Sequence, residues 1–348
     1  MGYRGAVGAS AAALVAVLVT AAGAGVAVAD PAVAADSAIG APASVGGSSV
    51  SVVSAVGRDW TLRVWSASMR REITVNVQRP ADTSEPRPAL YLVNGAGGGE
   101  DTATWGQNTD VLDFLAEKNV NVVMPVGGAW SYYTDWKQRD PRLGENKWRT
   151  FFVDELPPLI DAVLGTDGRN AIAANSMTVT AVLQLAIAQP GLFRAVAAYS
   201  GCAQISDPVG QQFVNVVVGT GGGNPGNMYG PPGDPAWAAN DPVVNAERLR
   251  GTKLYFSNGS GLPGEHDKLG DPNLMIPGPV GLANQIVVGG VIEAATLWCT
   301  KNLQDRLDEL GIPATFDLES KGTHSWGYWE KAFKSSWPVL AEGLEMPA

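Results

Sequence analysis

The 348-residue sequence contains two histidines, His266 and His324, so any serine-based chemistry in this chain has a choice of two bases. Acyl transfer through a serine needs such a base, to take the hydroxyl proton and return it to the leaving group. Ser176 stands in A-I-A-A-N-S-M-T-V-T-A-V-L-Q-L-A, Ala171 to Ala186, where an apolar, β-compatible run changes to helical spacing at the serine itself. A strand turning sharply into a helix can leave a serine at the apex as a nucleophile. A serine at a helix start is equally the residue type of an N-cap. Glycines commonly flank such a nucleophile, but A-N-S-M-T has Ala174 and Thr178 there, so the spacing leaves both readings open. His324, in K-G-T-H-S-W-G-Y-W, lies in a turn-forming stretch after the strand-like A-T-F-D-L-E and before a last helix. It follows the serine in chain order, as the base of this arrangement does. His266, in P-G-E-H-D-K-L, reads as a loop histidine among charged neighbours.

The elements that must position these groups alternate in type. W-T-L-R-V-W-S and R-E-I-T-V-N-V-Q alternate apolar with polar residues, as half-buried antiparallel strands do. A-L-Y-L-V-N-G and V-N-V-V-M-P-V-G are nearly continuous apolar runs, the pattern of central parallel strands. Helical spacing follows over 110–118, 148–164, the stretch after Ser176, and 291–310, with a last helix after Trp326. Strands regularly separated by helices imply a mostly parallel central sheet with helices on both faces, and the serine at a strand-to-helix joint with a histidine after the last strand gives that α/β sheet the arrangement of an α/β-hydrolase fold. G-T-G-G-G-N-P-G-N-M-Y-G-P-P-G-D-P is too long for a simple connection and reads as an excursion near the substrate.

With 45% hydrophobic residues the chain can bury a large core, and disorder is not its default. A net charge of -10 leaves no basic stripe, which argues against nucleic acid as a partner. Arg4, an apolar run from about Ala11 to Val28, and A-V-A before Asp30 follow the logic of a secretory signal peptide. The expected organisation is a signal peptide over 1–29, a flexible Ala/Gly/Ser/Val lead-in over 30–50, and one catalytic domain over 51–348. A retained N-terminal anchor is the alternative for the apolar run. No other stretch reads as long and apolar enough for a span. Cys202 and Cys299 are the only cysteines, and in an exported chain two cysteines favour a disulfide over a metal site.

V-V-M-P-V-G-G-A-W-S-Y-Y-T-D-W, A-N-S-M-T, A-Y-S-G and G-T-H-S-W-G-Y-W together resemble the secreted mycolyltransferases of mycolic-acid bacteria, the antigen 85 family and its corynebacterial relatives. The resemblance runs from about Trp60 to Trp329. It implies an esterase-like fold and transfer of a mycoloyl chain through an acyl-serine by Ser, Glu and His, without metal or organic cofactor. The family's glutamate lies about thirty residues before its histidine, near the start of a helix. That position matches Glu293 in V-I-E-A-A-T-L-W-C-T. A helix N-terminal carboxylate that offsets the dipole is the other reading of Glu293, and Glu265 and Asp267 compete with it on fold logic.

The fold logic places the oxyanion donors on the backbone N–H of Met177 and of Ala96, in the N-G-A-G-G-G-E-D loop after A-L-Y-L-V. That loop lacks the lysine and the spacing of a phosphate-binding loop. In trehalose-binding members of the family the same loop carries an aspartate and, three residues on, an arginine. This chain has Asn94 and Gly97 there, so a hydroxyl partner remains but the bidentate cationic contact does not. Trp326, with Trp130, Tyr132, Tyr133 and Trp136, offers aromatic surface to a sugar or a lipid chain, unless each is core packing. The expected partners are a trehalose-mycolate-like glycolipid as acyl donor and a hydroxyl acceptor (trehalose, arabinogalactan or protein) in the cell envelope, met by a monomer. A carboxylesterase and a catalytically degenerate glycolipid- or matrix-binding protein are the rival readings.

Overall fold

In a computed structural model that describes residues 43–348, ten strands form one sheet in the order β1-β2-β3-β4-β6-β5-β7-β8-β9-β10. They are β1 (Ala43–Val45), β2 (Ser48–Val56), β3 (Asp59–Ser66), β4 (Arg71–Gln78), β5 (Arg87–Val93), β6 (Asn121–Val126), β7 (Thr166–Asn175), β8 (Phe193–Tyr199), β9 (Lys253–Asn258) and β10 (Thr315–Leu318). The expected signal peptide and most of the lead-in lie outside the described residues. β1 and the start of β2 fall inside the stretch read as lead-in, because S-S-V-S-V-V pairs antiparallel with β3.

The two sequence patterns separate the sheet into two parts. β3 and β4 bury every second residue and pair antiparallel, while β5, β7, β8, β9 and β10 run parallel to one another with β6 beside β5. β5 and β7 are buried on both faces. Tyr91, Val93 and Ile172 point into one core layer, and Leu90, Leu92 and Ala173 into the other.

The first layer is closed by α1 (Leu156–Leu164) and α2 (Thr178–Ala188), and the second by a C-terminal helix described below. The Gly/Pro-rich excursion follows α3 (Pro208–Thr220) and folds into two short helices, Pro225–Tyr229 and Pro235–Ala239, whose first N–H groups are capped by Asn224 and Asp234. The next long helix, α4, runs Pro279–Leu310 and includes a π-helical turn at Gln285–Gly289. Helix α5 (Trp326–Gly343) closes the second layer.

A disulfide joins Cys202, just past β8, to Cys299 on α4, with their Cα atoms 4.9 Å apart. It closes a loop of 97 residues, for which chain-entropy arguments give a stabilisation of at most roughly 4 to 5 kcal/mol. Its local consequence is to hold α4 against the C-terminal ends of the parallel strands, the edge where open α/β sheets place their sites.

Candidate active site

Ser176 sits between β7 and α2 with φ +59. A left-handed serine is strained, and such strain gathers at functional turns. It is also no N-cap: its own N–H donates to Tyr199 O (2.9 Å), and the residue before α2 is Met177, which makes no side-chain cap.

The missing glycines of the A-N-S-M-T turn have counterparts elsewhere in the fold. A Cβ on Gly95 would stand 3.4 Å from Ser176 Cβ, and one on Gly201 would fall 2.4 Å from Ser176 O. The close approach that glycine provides at such a turn is therefore supplied by Gly201, past β8, while the loop at Gly95 lies in ordinary contact with the serine. Thr178, in place of the second glycine, donates through Oγ1 to Asn94 O (2.6 Å), tying the turn to the loop after β5.

His324 Nε2 lies 2.9 Å from Ser176 Oγ, and its Nδ1 lies 2.9 Å from Glu293 Oε2. The other Glu293 oxygen, Oε1, accepts from Ser200 Oγ (2.7 Å), Asn258 Nδ2 (2.9 Å) and Gly259 N (2.6 Å). Glu293 is 1% exposed, so these bonds replace the water that an ionised carboxylate would otherwise hold. Glu293 stands in the first turn of the α-helix Gly290–Leu310, which the π-turn joins to helix reaching back to Pro279, so it lies within a longer helix and not at a free helix start. The π-turn at Gln285–Gly289 precedes it, and Gly289 O accepts from His324 N (3.2 Å), joining the acid's helix to the histidine's loop. Trp329 meets the His324 ring edge-on at 4.8 Å.

The competing residues serve other ends. Glu265 pairs with Lys331 at the surface. The His266 ring packs on Tyr328, and its Nδ1 lies 3.2 Å from Asp271 Oδ2. Asp267 does not touch His324. It accepts from Thr323 Oγ1 (2.6 Å), Tyr328 OH (2.6 Å), Gln285 Nε2 (2.9 Å) and Gly264 N (2.8 Å). Burial pushes its carboxyl upward, but these bonds outweigh that and hold it below the usual carboxylate range. It thereby anchors the residue before His324 to α4 and α5.

Met177 stands at the start of α2, where N–H groups have no partner within the helix. Ala96 lies on the loop packed against Ser176, its carbonyl held by Trp130 N (2.8 Å). Trp130, Tyr132 and Tyr133 all take positive φ, so the aromatic segment after β6 is a strained brace behind this loop.

Two residues expected to meet substrate are mostly occupied within the protein. Asn94 is 6% exposed and its Oδ1 accepts from Trp105 N (3.0 Å). Trp326 is 2% exposed, packed edge-on against Trp105 and Trp329, so it offers no surface for stacking a sugar. Tyr132, Tyr133 and Trp136 are buried as well.

Sequence reasoning missed Ser200, Asn258 and Gly259. Their signal is visible only in retrospect, as S-G and S-N-G dipping off the ends of two adjacent strands, β8 and β9. Among the described residues, no group of three or more His, Cys, Asp or Glu side chains could hold a metal ion.

A serine, an imidazole and a carboxylate in one hydrogen-bonded line can form and discharge an acyl ester. The likenesses of the chain point to the same class of reaction. A family model described as putative esterase matches residues 66–338. The chain is 33% identical over 295 residues to the diacylglycerol acyltransferase/mycolyltransferase Ag85A of Mycobacterium tuberculosis (strain ATCC 25618 / H37Rv), covering 81% of this chain and 80% of that one. It is 32% identical over 293 residues to Ag85B of Mycobacterium leprae (strain TN), covering 81% and 83%. Among solved structures, Mycobacterium tuberculosis MPT51 (FbpC1) matches with a TM-score of 0.65 at 24% identity, over 80% of this chain and 96% of that one. An S-formylglutathione hydrolase from Agrobacterium tumefaciens matches with a TM-score of 0.60 at 17% identity, over 84% and 99%. These two structural likenesses speak for the fold.

Proposed function

Because the chain belongs to the putative esterase family and, within it, to the diacylglycerol acyltransferase/mycolyltransferases, an acyl-transferring enzyme, we propose that Ser176 takes a mycoloyl-type chain from a glycolipid ester and passes it to a hydroxyl of the cell envelope. In this reading Ser176 Oγ attacks the ester carbonyl as its proton passes to His324 Nε2. Glu293 keeps the Nδ1 proton facing itself and stabilises the imidazolium. The backbone N–H groups of Ala96 and Met177 receive the oxyanion. Collapse expels the sugar alkoxide, which takes the proton from His324 and leaves an acyl-serine. An acceptor hydroxyl then gives its proton to His324 and attacks the acyl-serine carbonyl, and collapse expels Ser176 Oγ, which takes that proton from His324 and restores the free serine.

The observation that carries this reading is the unbroken line Ser176 Oγ–His324 Nε2 and His324 Nδ1–Glu293 Oε2, each 2.9 Å. The A-N-S-M-T turn gives little weight to a degenerate binding protein, since Gly201 supplies its close packing. Export to the envelope is the proposed setting, supported by the leader-like start of the sequence and by the disulfide. Intact-mass analysis after brief exposure to a long-chain glycolipid ester tests the chemistry: one acyl adduct mapping to Ser176 is the expected result, and an adduct elsewhere or none at all would defeat it. Counting free acid against transferred chain then separates transfer from hydrolysis.

The acceptor side gives a further expectation. With Gly97 in the loop and Asn94 engaged by Trp105, the charged pair that holds trehalose in trehalose-binding relatives has no counterpart. Losing a charge-assisted contact costs roughly 1.5 to 3 kcal/mol, so trehalose should act as an acceptor with a KM about ten- to a hundredfold weaker than the true hydroxyl acceptor. Steady-state exchange with graded trehalose checks this, and efficient exchange at a low, saturating concentration would overturn it.

A further inference from the structure

From Pro272 to Thr300 the sequence carries a single ionisable side chain, Glu293, and that one is buried in the site. This stretch holds most of the apolar part of α4. Val280, Val287, Val291 and Trp298 follow one another along this helix, before, within and after its π-turn. All four are exposed, Val280 at 81% and Val291 at 60%. Gly, Asn and Gln interrupt the apolar run, so the sequence alone shows no second membrane-like stretch here. Yet α4 is long and apolar enough to cross a membrane by length and composition, and only 22% of its most apolar 18-residue window is buried. It is no span, since Glu293, Cys299, Leu303 and Leu307 on its other side are buried in the domain.

The exposed side of α4 runs into the surroundings of the triad. Ile292, itself exposed, is next to Glu293. Leu262, 60% exposed, belongs to a loop whose neighbour Gly261 packs on Gly290 and whose carbonyl accepts from Gly322 N (2.7 Å), two residues before His324. A row of exposed apolar side chains on a helix without charged groups between them fits an apolar partner.

We infer that the Val280–Val287–Val291–Trp298 side of α4, with Leu262 beside it, seats the enzyme on the surface of an uncharged lipid layer, with the triad at the edge of the seat. The inference rests on the acyl-transfer reading above, in which the donor's long chains place it in such a layer rather than free in water. Charge selects this occupant over the alternatives. A strip without basic groups on a chain of net charge -10 has no attraction for an anionic surface, and two copies meeting there would bring like charges together. A neutral glycolipid layer meets neither obstacle, and shallow insertion of an apolar helix face is how interfacial helices hold such layers.

Flotation of the full chain with phosphatidylcholine vesicles, with and without one part in ten of a neutral trehalose diester, tests the inference without any turnover. The expected result is flotation that persists at about 0.5 M NaCl, since an apolar contact is not screened. Val280→Ser, Val287→Ser and Val291→Ser combined should lower vesicle affinity at least tenfold, while hydrolysis of a soluble short-chain ester and the thermal melt stay unchanged. The isosteric set Val280→Thr, Val287→Thr and Val291→Thr, which preserves volume, should lower affinity in the same direction. Absence of flotation, loss of flotation in salt, or flotation of both triple variants at the wild-type level would overturn the inference. So would a wild-type dimer that the triple serine variant converts to monomer. Failure here with a normal Ser176 adduct removes the docking face alone, and the reverse removes the acyl-serine reading alone.

Discussion

Ser176→Ala should lower kcat for acyl transfer by at least about a thousandfold, and His324→Ala should do the same, because a nucleophile and its base act as one unit. For the same reason the double variant should be scarcely worse than either single one. Steady-state turnover of a glycolipid ester, with circular dichroism to show an intact fold, is the measurement. Retention of more than about a tenth of the wild-type rate in Ser176→Ala would assign the nucleophile elsewhere. The turn itself offers a second readout. Ser176 holds a left-handed backbone at φ +59, a conformation that costs a residue with a Cβ about 1 to 2 kcal/mol and glycine almost nothing. Ser176→Gly should therefore be inactive yet more stable than Ser176→Ala by about 1 kcal/mol, as read from urea unfolding. An inactive serine site that gains stability when relaxed is the signature of strain kept for function.

Glu293→Gln should cost about 10²–10⁴-fold in kcat, less than loss of the serine, because a general base remains but faces the wrong way. The hydrogen bonds around the carboxylate fix how the amide must lie. Oε1 is met by three donors, Ser200 Oγ, Asn258 Nδ2 and Gly259 N, so the glutamine oxygen must take that side and its NH₂ must face His324. The imidazole then has to accept at Nδ1 and carry its proton on Nε2, toward Ser176, where it cannot act as a base. KM should change little, since Glu293 is buried and offers no surface to the donor. Glu293→Ala should lose a similar amount of rate and also stability, about 1–3 kcal/mol for buried donors left without an acceptor. Equal stability in the Gln and Ala variants, or a rate within threefold of wild type in Glu293→Gln, would show that Oε1 and its donors do not orient the acid.

Much of the fold was legible because its two halves write different patterns. β3 and β4 show one polar face, so T-L-R-V-W and E-I-T-V-N alternate, whereas β5 and β7 are covered on both faces and read as apolar runs. The spacing over 291–310 predicts the α-helix carrying Glu293, which runs Gly290–Leu310, but not its upstream continuation through the π-turn Gln285–Gly289 to Pro279. Gly281, Asn284, Gln285, Gly289 and Gly290 hide its periodicity, and the π-turn among them shifts the phase that a 3.6-residue pattern relies on. The substrate-facing expectations fared differently. Trp326 and Asn94 have side chains suited to a sugar, and both are turned into the protein, Trp326 against Trp105 and Asn94 onto Trp105 N. Residue type alone carries no information about which way a side chain will turn.

By itself the sequence determined most of the order of strands and helices (α3, Pro208–Thr220, escapes it), the serine at a strand-to-helix joint and the histidine after the last strand, because each depends on neighbours a few residues away. It also determined that Cys202 and Cys299 had only each other to pair with, a matter of count. Only the tertiary structure decided which acid serves His324. Glu293, Asp267 and Glu265 are all within reach by chain distance, and the choice rests on Ser200, Asn258 and Gly259, which come from the ends of two other strands to stabilise one buried carboxylate. The same holds for the close approach at Ser176, supplied by Gly201 from past the end of β8, and for the uncharged side of α4 left facing outward. Burial and long-range hydrogen bonding are properties of what the chain packs against, and no local pattern encodes them.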